Sequence, residues 1–285
     1  MSYAVSIHIG VNVPQTRLAN DNREPLVDSE TAAWRMAEVA KEAGYDSMLV
    51  LRGQTATLST VNASLWNVSQ LLTKGDTLLL TFSGHGGQVP DRDGDDPLGS
   101  DQSWTLHDGE LLDDQLCGYW RLFKEGVRIV VVSESCYAGG MMRTVDEKEL
   151  LSAALPRQRR MRGEPYWVEE ARNLGASAAI QPLRDPSGVR ATVLMLTAAN
   201  EVQRAQSGLF TDCLLKVWAG GDFPGSYREL HEEVKRRVMG IKYDQEPQIL
   251  MMGATDADFP LAPAFRPQRG PAAGSPSAWM RGPGG

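Results

Sequence analysis

The sequence predicts an α/β fold: a mostly parallel sheet with helices on both faces. Two observations predict it. Short apolar runs that read as buried strands alternate with helical patterns, and two of those runs, Thr77 to Phe82 and Val127 to Val132, lead straight into glycine-bearing turns. Residues 3–11 read as the first strand, followed by a helix from Ser29 to Ala43 that Gly44 ends and a second strand at Ser47–Leu51. Leu58, Val61, Leu65, Val68 and Leu72 recur at helical spacing, and Gly75 closes that helix before the third strand. A polar, acidic loop is expected from Asp91 to Asp108, then a short helix near Asp113–Phe123 and the fourth strand. Ala191–Leu196 reads as a fifth strand and Leu209–Trp218 as a helix. The helix from Ser226 to Met239 carries a capping box, Ser226 with Glu229, a stripe of Tyr227, Leu230, Val234 and Val238, and Gly240 at its end. Gln248–Met252 supplies a sixth strand.

Composition narrows the function classes. At 285 residues with 42% hydrophobic and 23% charged residues, the chain can bury a substantial core. A net charge of −7 gives no global attraction to nucleic acid or an anionic membrane. No apolar run reaches membrane-span length, and Met1-Ser2-Tyr3 leads into a strand pattern rather than a signal peptide. Cys117, Cys136 and Cys213 are odd in number and far apart, which argues against a disulfide framework or zinc site and for a cytoplasmic setting. Two segments break the strand–helix alternation. Residues 141–190 form a basic insertion, with Arg157, Arg159, Arg160 and Arg162 clustered, and residues 262–285 are rich in Pro, Gly, Ala and Ser and are expected to be a disordered tail.

The chemistry is concentrated in Ser83-Gly84-His85-Gly86-Gly87 and Ser133-Glu134-Ser135-Cys136-Tyr137-Ala138-Gly139-Gly140. Each motif lies just past the carboxyl end of a strand, where open α/β sheets place their sites. A thiol attacks a carbonyl as thiolate, and a neighbouring imidazole can take its proton and later protonate the leaving amine. Glycines beside both residues let a substrate backbone approach, and the N–H groups of Gly86 and Cys136 could receive a developing oxyanion. A cysteine after a strand is often a small buried hydrophobe, and a histidine among glycines can bind phosphate or sit idle at the surface. The pairing favours catalysis by His85 and Cys136. Cys117, Cys213, His8, His107 and His231 read as structural.

The stretch Gly75 to Gln88 resembles the His motif of the metacaspases and their bacterial relatives, the orthocaspases, and Glu134 to Gly139 is similar to their Asp-Ser-Cys-His-Ser-Gly motif. The 51 residues between His85 and Cys136 match the spacing of about 50 in caspases. The resemblance runs from about residue 4 to residue 252 and implies a caspase–haemoglobinase-like fold over residues 1–261, with a six-stranded sheet and His85 and Cys136 as a catalytic dyad. It implies a cysteine endopeptidase acting on protein or peptide substrates after Arg or Lys. The acids of the S1 pocket would be Glu134, where the family usually has Asp, and Glu201 after the fifth strand; either could instead pair with an arginine such as Arg204.

Many metacaspases bind calcium through an acidic loop and an Asp-Asp pair. Here Asp91–Asp101 and Asp113-Asp114 are similar, but Arg143 stands where the family has a further Asp, so no cofactor is required and Ca2+ is a secondary expectation. In the plainer reading the acidic stretch is a solvated turn and Asp113 a helix cap. The arginines at 157–162 would suit cleavage by the enzyme itself or by an upstream activating peptidase, or simply solubilise a loop. Two alternatives to the peptidase remain: a catalytically weak caspase-like binding or regulatory module, suggested by Glu134 and Tyr137 in the altered Cys motif, and a thiol acyltransferase using the same dyad.

Overall fold

The computed structural model describes residues 2–15, 24–90, 100–136, 188–200, 203–253, 256 and 258–267. The chain order is β1 (Ala4–Gly10), α1 (Ser29–Glu42), β2 (Ser47–Arg52), α2 (Leu58–Leu71), β3 (Thr77–Ser83), β4 (Gly86–Pro90), β5 (Ser100–Thr105), β6 (Glu110–Leu112), α3 (Asp113–Trp120), β7 (Arg128–Glu134), β8 (Thr192–Thr197), α4 (Leu209–Trp218), α5 (Tyr227–Ile241) and β9 (Gln248–Gly253). Six strands form one sheet in the order β2-β1-β3-β7-β8-β9. All of its neighbours pair in parallel except β8 and β9. The expected mostly parallel six-stranded sheet is therefore present.

Strands buried on both faces need two apolar layers, and the sequence supplies them. On one face Val5, Ile7, Leu78, Leu80, Ile129 and Val131 pack with α2 and α3. On the other, Leu79, Val130, Val132, Leu194 and Leu196 pack with α1, α4 and α5. Period-two alternation sends neighbouring residues of each strand to opposite layers. The α2 stripe works as its spacing predicts: Leu58, Val61, Leu65 and Val68 are buried, and Thr57 caps the helix by accepting from the Thr60 N–H at 3.1 Å. The α5 capping box forms, with the Glu229 N–H donating to Ser226 Oγ (3.3 Å) and the Ser226 N–H donating to Glu229 Oε2 (2.8 Å).

Two expectations need correction. The stretch from Asp91 to Asp108, read as a polar loop, contains β5, which pairs antiparallel with β4 and β6 in a second sheet of three strands. Asp101, Gln102 and Ser103 are buried in it together with Trp104. Polar side chains hid this strand, because its burial comes from packing against the main domain rather than from an apolar pattern. Residues 91–99 lie outside the described residues. Likewise, the expected tail does not begin at 262. Tyr227 N donates to Ala262 O (3.1 Å) and Ala264 N to Gly225 O (3.0 Å), while the fully buried Phe265 ring meets Trp218 and Tyr227 edge-on at 5.4 and 5.6 Å. One aromatic residue inside a Pro/Ala-rich stretch is enough to anchor it. Residues 268–285 lie outside the described residues.

Candidate active site

Strands β3 and β7 are adjacent and in register, with Phe82 opposite Ser133 and Ser83 opposite Glu134. His85 and Cys136 therefore each stand two residues past a paired position, at the same end of neighbouring strands. The turns stay together above the sheet: the Gly84 N–H donates to Glu134 O at 3.2 Å. Gly86 lies against the Cys136 backbone so closely that a Cβ there would fall 2.0 Å from Cys136 O. A glycine is required by that approach. Below the turns, the Trp104 ring stacks on Phe82 at 4.6 Å, and its indole N–H donates to Ser133 Oγ at 3.0 Å, which in turn lies 3.2 Å from Ser135 Oγ. The missed strand β5 thus supplies the floor of the site.

His85 Nε2 lies 2.9 Å from the carbonyl oxygen of Glu24. A carbonyl only accepts, so Nε2 carries the proton, and Nδ1 of the neutral ring is left as the basic nitrogen. This backbone contact has no side-chain signature and could not be read from sequence. The adjoining segment is held by Asn12, whose backbone carbonyl accepts from Leu26 N (2.9 Å) and whose Oδ1 accepts from Glu30 N (3.2 Å). The Cys136 thiol contacts Ala205 O at 3.8 Å. Around Gly86, the Thr105 N–H donates to His85 O at 3.0 Å, so residues 85 and 105 form a hydrogen-bonded pair. By the alternation of antiparallel ladders the Gly86 N–H then points away from β5.

Glu134 is the acid that the resemblance assigns to the S1 pocket. It is 3% exposed, and both carboxylate oxygens are engaged. Oε1 accepts from the N–H groups of Phe210 (2.8 Å) and Thr211 (3.2 Å), and Oε2 from the Thr211 hydroxyl (2.5 Å) with Ser83 Oγ at 3.5 Å. Helix α4 begins at Gly208, which has no side chain to cap it, so Glu134 supplies the cap from the end of β7. Burial raises its pKa above the usual carboxylate value, outweighing the donors from Thr211 and Phe210.

Asp28 is an exposed carboxylate at the start of α4. It precedes α1 but makes no side-chain cap bond to it, and it lies against Gly208, where a Cβ would meet Asp28 Oδ2 at 3.2 Å. No motif in the sequence marks Asp28. Glu201 and the arginines at 157–162 lie outside the described residues. Asp113 and Asp114 open α3 and are 3% and 8% exposed, with the Asp114 N–H donating to Asp113 Oδ1 at 3.1 Å. Among the described residues no group of three His, Cys, Asp or Glu side chains could hold a metal, and residues 91–99 of the expected acidic loop lie outside the described residues.

A family model, the caspase domain, matches residues 12–257. The chain belongs to the caspase-domain family. Metacaspase-8 of Arabidopsis thaliana is 36% identical over 77 residues, which are 26% of this chain and 20% of that protein. Metacaspase-1B of Aspergillus fumigatus is 41% identical over 69 residues, 22% of this chain and 17% of the relative. The matches thus span about a fifth of each metacaspase. A crystal structure of a Geobacter sulfurreducens protein is similar over 94% of this chain and 100% of its own, with TM-score 0.71 and 30% identity. Caspase-1 from Spodoptera frugiperda shares the fold, with TM-score 0.52 at 10% identity, covering 88% of this chain and 86% of its own. The metacaspase-like caspase domain inferred from the two motifs agrees with these matches. No helix among the described residues is long and apolar enough to cross a membrane.

Proposed function

We propose that this caspase domain is a cysteine endopeptidase cutting after Arg or Lys. The observation that carries the reading is the joint presentation of His85 and Cys136 by in-register strands, with His85 Nε2 committed to Glu24 O. In this mechanism His85 Nδ1 takes the Cys136 proton, and the thiolate attacks the scissile carbonyl carbon. The N–H groups of Gly86 and Cys136 receive the oxyanion. The imidazolium returns its proton to the leaving amine, giving an acyl-enzyme. His85 then deprotonates a water that attacks the thioester, releasing the acid and restoring the thiol. Throughout, the Glu24 carbonyl keeps the ring oriented and stabilises its charged form.

Asp28 supplies the exposed negative charge for a cationic P1 side chain, with the buried Glu134 holding α4 behind it. Processing within 157–162, by the enzyme itself or an upstream peptidase, is part of the proposal and is checked by mapping new N-termini in wild type and Cys136→Ala. The three cysteines are free thiols, which fits a reducing, cytoplasmic compartment. The test is turnover of matched fluorogenic peptides bearing Arg, Lys or Asp at P1, with and without Ca2+. Arg or Lys turnover that Cys136→Ala abolishes supports the proposal, and Asp turnover alone refutes the pocket. Absence of turnover in both the intact and the processed protein would favour the binding module.

A further inference from the structure

We propose that Gln245 is a positioning residue that sets the resting state of the Cys136 thiol. The inference rests on the reading of Cys136 as nucleophile and goes beyond it. Residues 203–208 lead into α4 as a strap, and Ala205 presents its carbonyl to Cys136 Sγ at 3.8 Å. The next residue is pinned: the Gln206 N–H donates to Gln245 Oε1 at 2.8 Å. Gln245 is fully buried, and its Nε2 donates to Ala198 O at 3.0 Å, so one side chain ties the strap to the end of the sheet. The neighbouring Glu246 N–H donates to Gln203 Oε1 at 2.9 Å. Downstream, Glu134 holds the Phe210 and Thr211 N–H groups. The strap is thus fixed on both sides of Ala205, and two of its anchors belong to the turn between α5 and β9.

A carbonyl oxygen beside a thiol accepts from S–H, and a sulfur engaged in that bond is slower to attack an electrophile. At 3.8 Å the contact is long, so a small displacement of the strap removes it. Gln245 therefore keeps the Cys136 S–H engaged at rest by fixing where the Ala205 carbonyl stands. A buried amide satisfied at both ends is rigid in that role, since releasing either partner leaves an unpaired polar group.

The experiment is iodoacetamide alkylation at neutral pH, with Cys117, Cys136 and Cys213 followed separately by peptide mass spectrometry. Gln245→Met keeps the length of the side chain and removes both bonds. It is expected to raise the Cys136 rate about fivefold, the size of one modest hydrogen bond. Cys213, buried in α4, should not change. An unchanged Cys136 rate, or one that rises in step with Cys213, would overturn the proposal in favour of a purely structural glutamine. Should Gln245→Met fail to fold, Gln206→Pro deletes the N–H at the other end and is read in the same way. Alkylation reports the thiol rather than turnover, so a protein that cut no peptide would refute the peptidase and leave this test intact.

Discussion

Glu134 and Gly86 show how single positions build this site. Glu134 was legible as an acid beside the nucleophile, but its work as a cap was not, because its partners lie in α4, more than seventy residues away. Glu134→Ala leaves two buried N–H groups and a hydroxyl without their acceptor and should cost about 2 to 4 kcal/mol of stability in denaturant unfolding. Glu134→Gln, which keeps one acceptor, should cost less. The raised pKa of Glu134 has a definite sign. The carboxyl stabilises the fold when protonated, below its unfolded value, and that contribution is lost as pH rises through its higher folded value. Unfolding curves of wild type against Glu134→Gln should diverge in that window. Gly86→Ala forces the turn off the Cys136 backbone, and if the Gly86 N–H holds the oxyanion, kcat should fall about a hundredfold with the fold intact.

At the scale of elements, β3 and β7 were readable because parallel core strands are continuous apolar runs, and α2 and α5 because their stripes and caps agree. The β4–β6 sheet was hidden by polar residues whose partners come from elsewhere in the chain. Strand β1 carries another such case. His8 is fully buried, with Nδ1 3.0 Å from Thr81 Oγ1 and Nε2 without a hydrogen-bond partner. Burial lowers its pKa from 6.5 to about 3. The unfolded chain therefore takes up a proton that the folded chain refuses. Stability present above pH 6.5 is lost as pH falls toward 3. His8→Gln, which cannot charge, should flatten the decline in melting temperature across that range. An equal slope in both proteins would assign the acid lability to other groups.

The whole molecule brings together segments that no local pattern connects. The loop after β1 supplies the Glu24 carbonyl and, in the proposed pocket, Asp28, while β3 and β7 supply His85 and Cys136 and the strap before α4 supplies Ala205. His85 and Cys136 could be singled out in the sequence because they sit inside motifs. Backbone acceptors and an acid that resembles a helix cap carry no such mark, and only the packing of layers reveals them. This arrangement predicts that Asp28→Asn lowers kcat/KM for Arg and Lys peptides at least tenfold, chiefly through KM, and leaves alkylation of Cys136 unchanged. The central claim is that His85 and Cys136 form a peptidase dyad facing a cation-binding pocket. Its most direct measurement is labelling by a peptidyl arginine chloromethyl ketone, with the adduct located by mass spectrometry. The account predicts one adduct on Cys136, lost in His85→Ala and strongly slowed in Asp28→Asn. Labelling of Cys117 at a comparable rate, or labelling of Cys136 indifferent to His85, would contradict it.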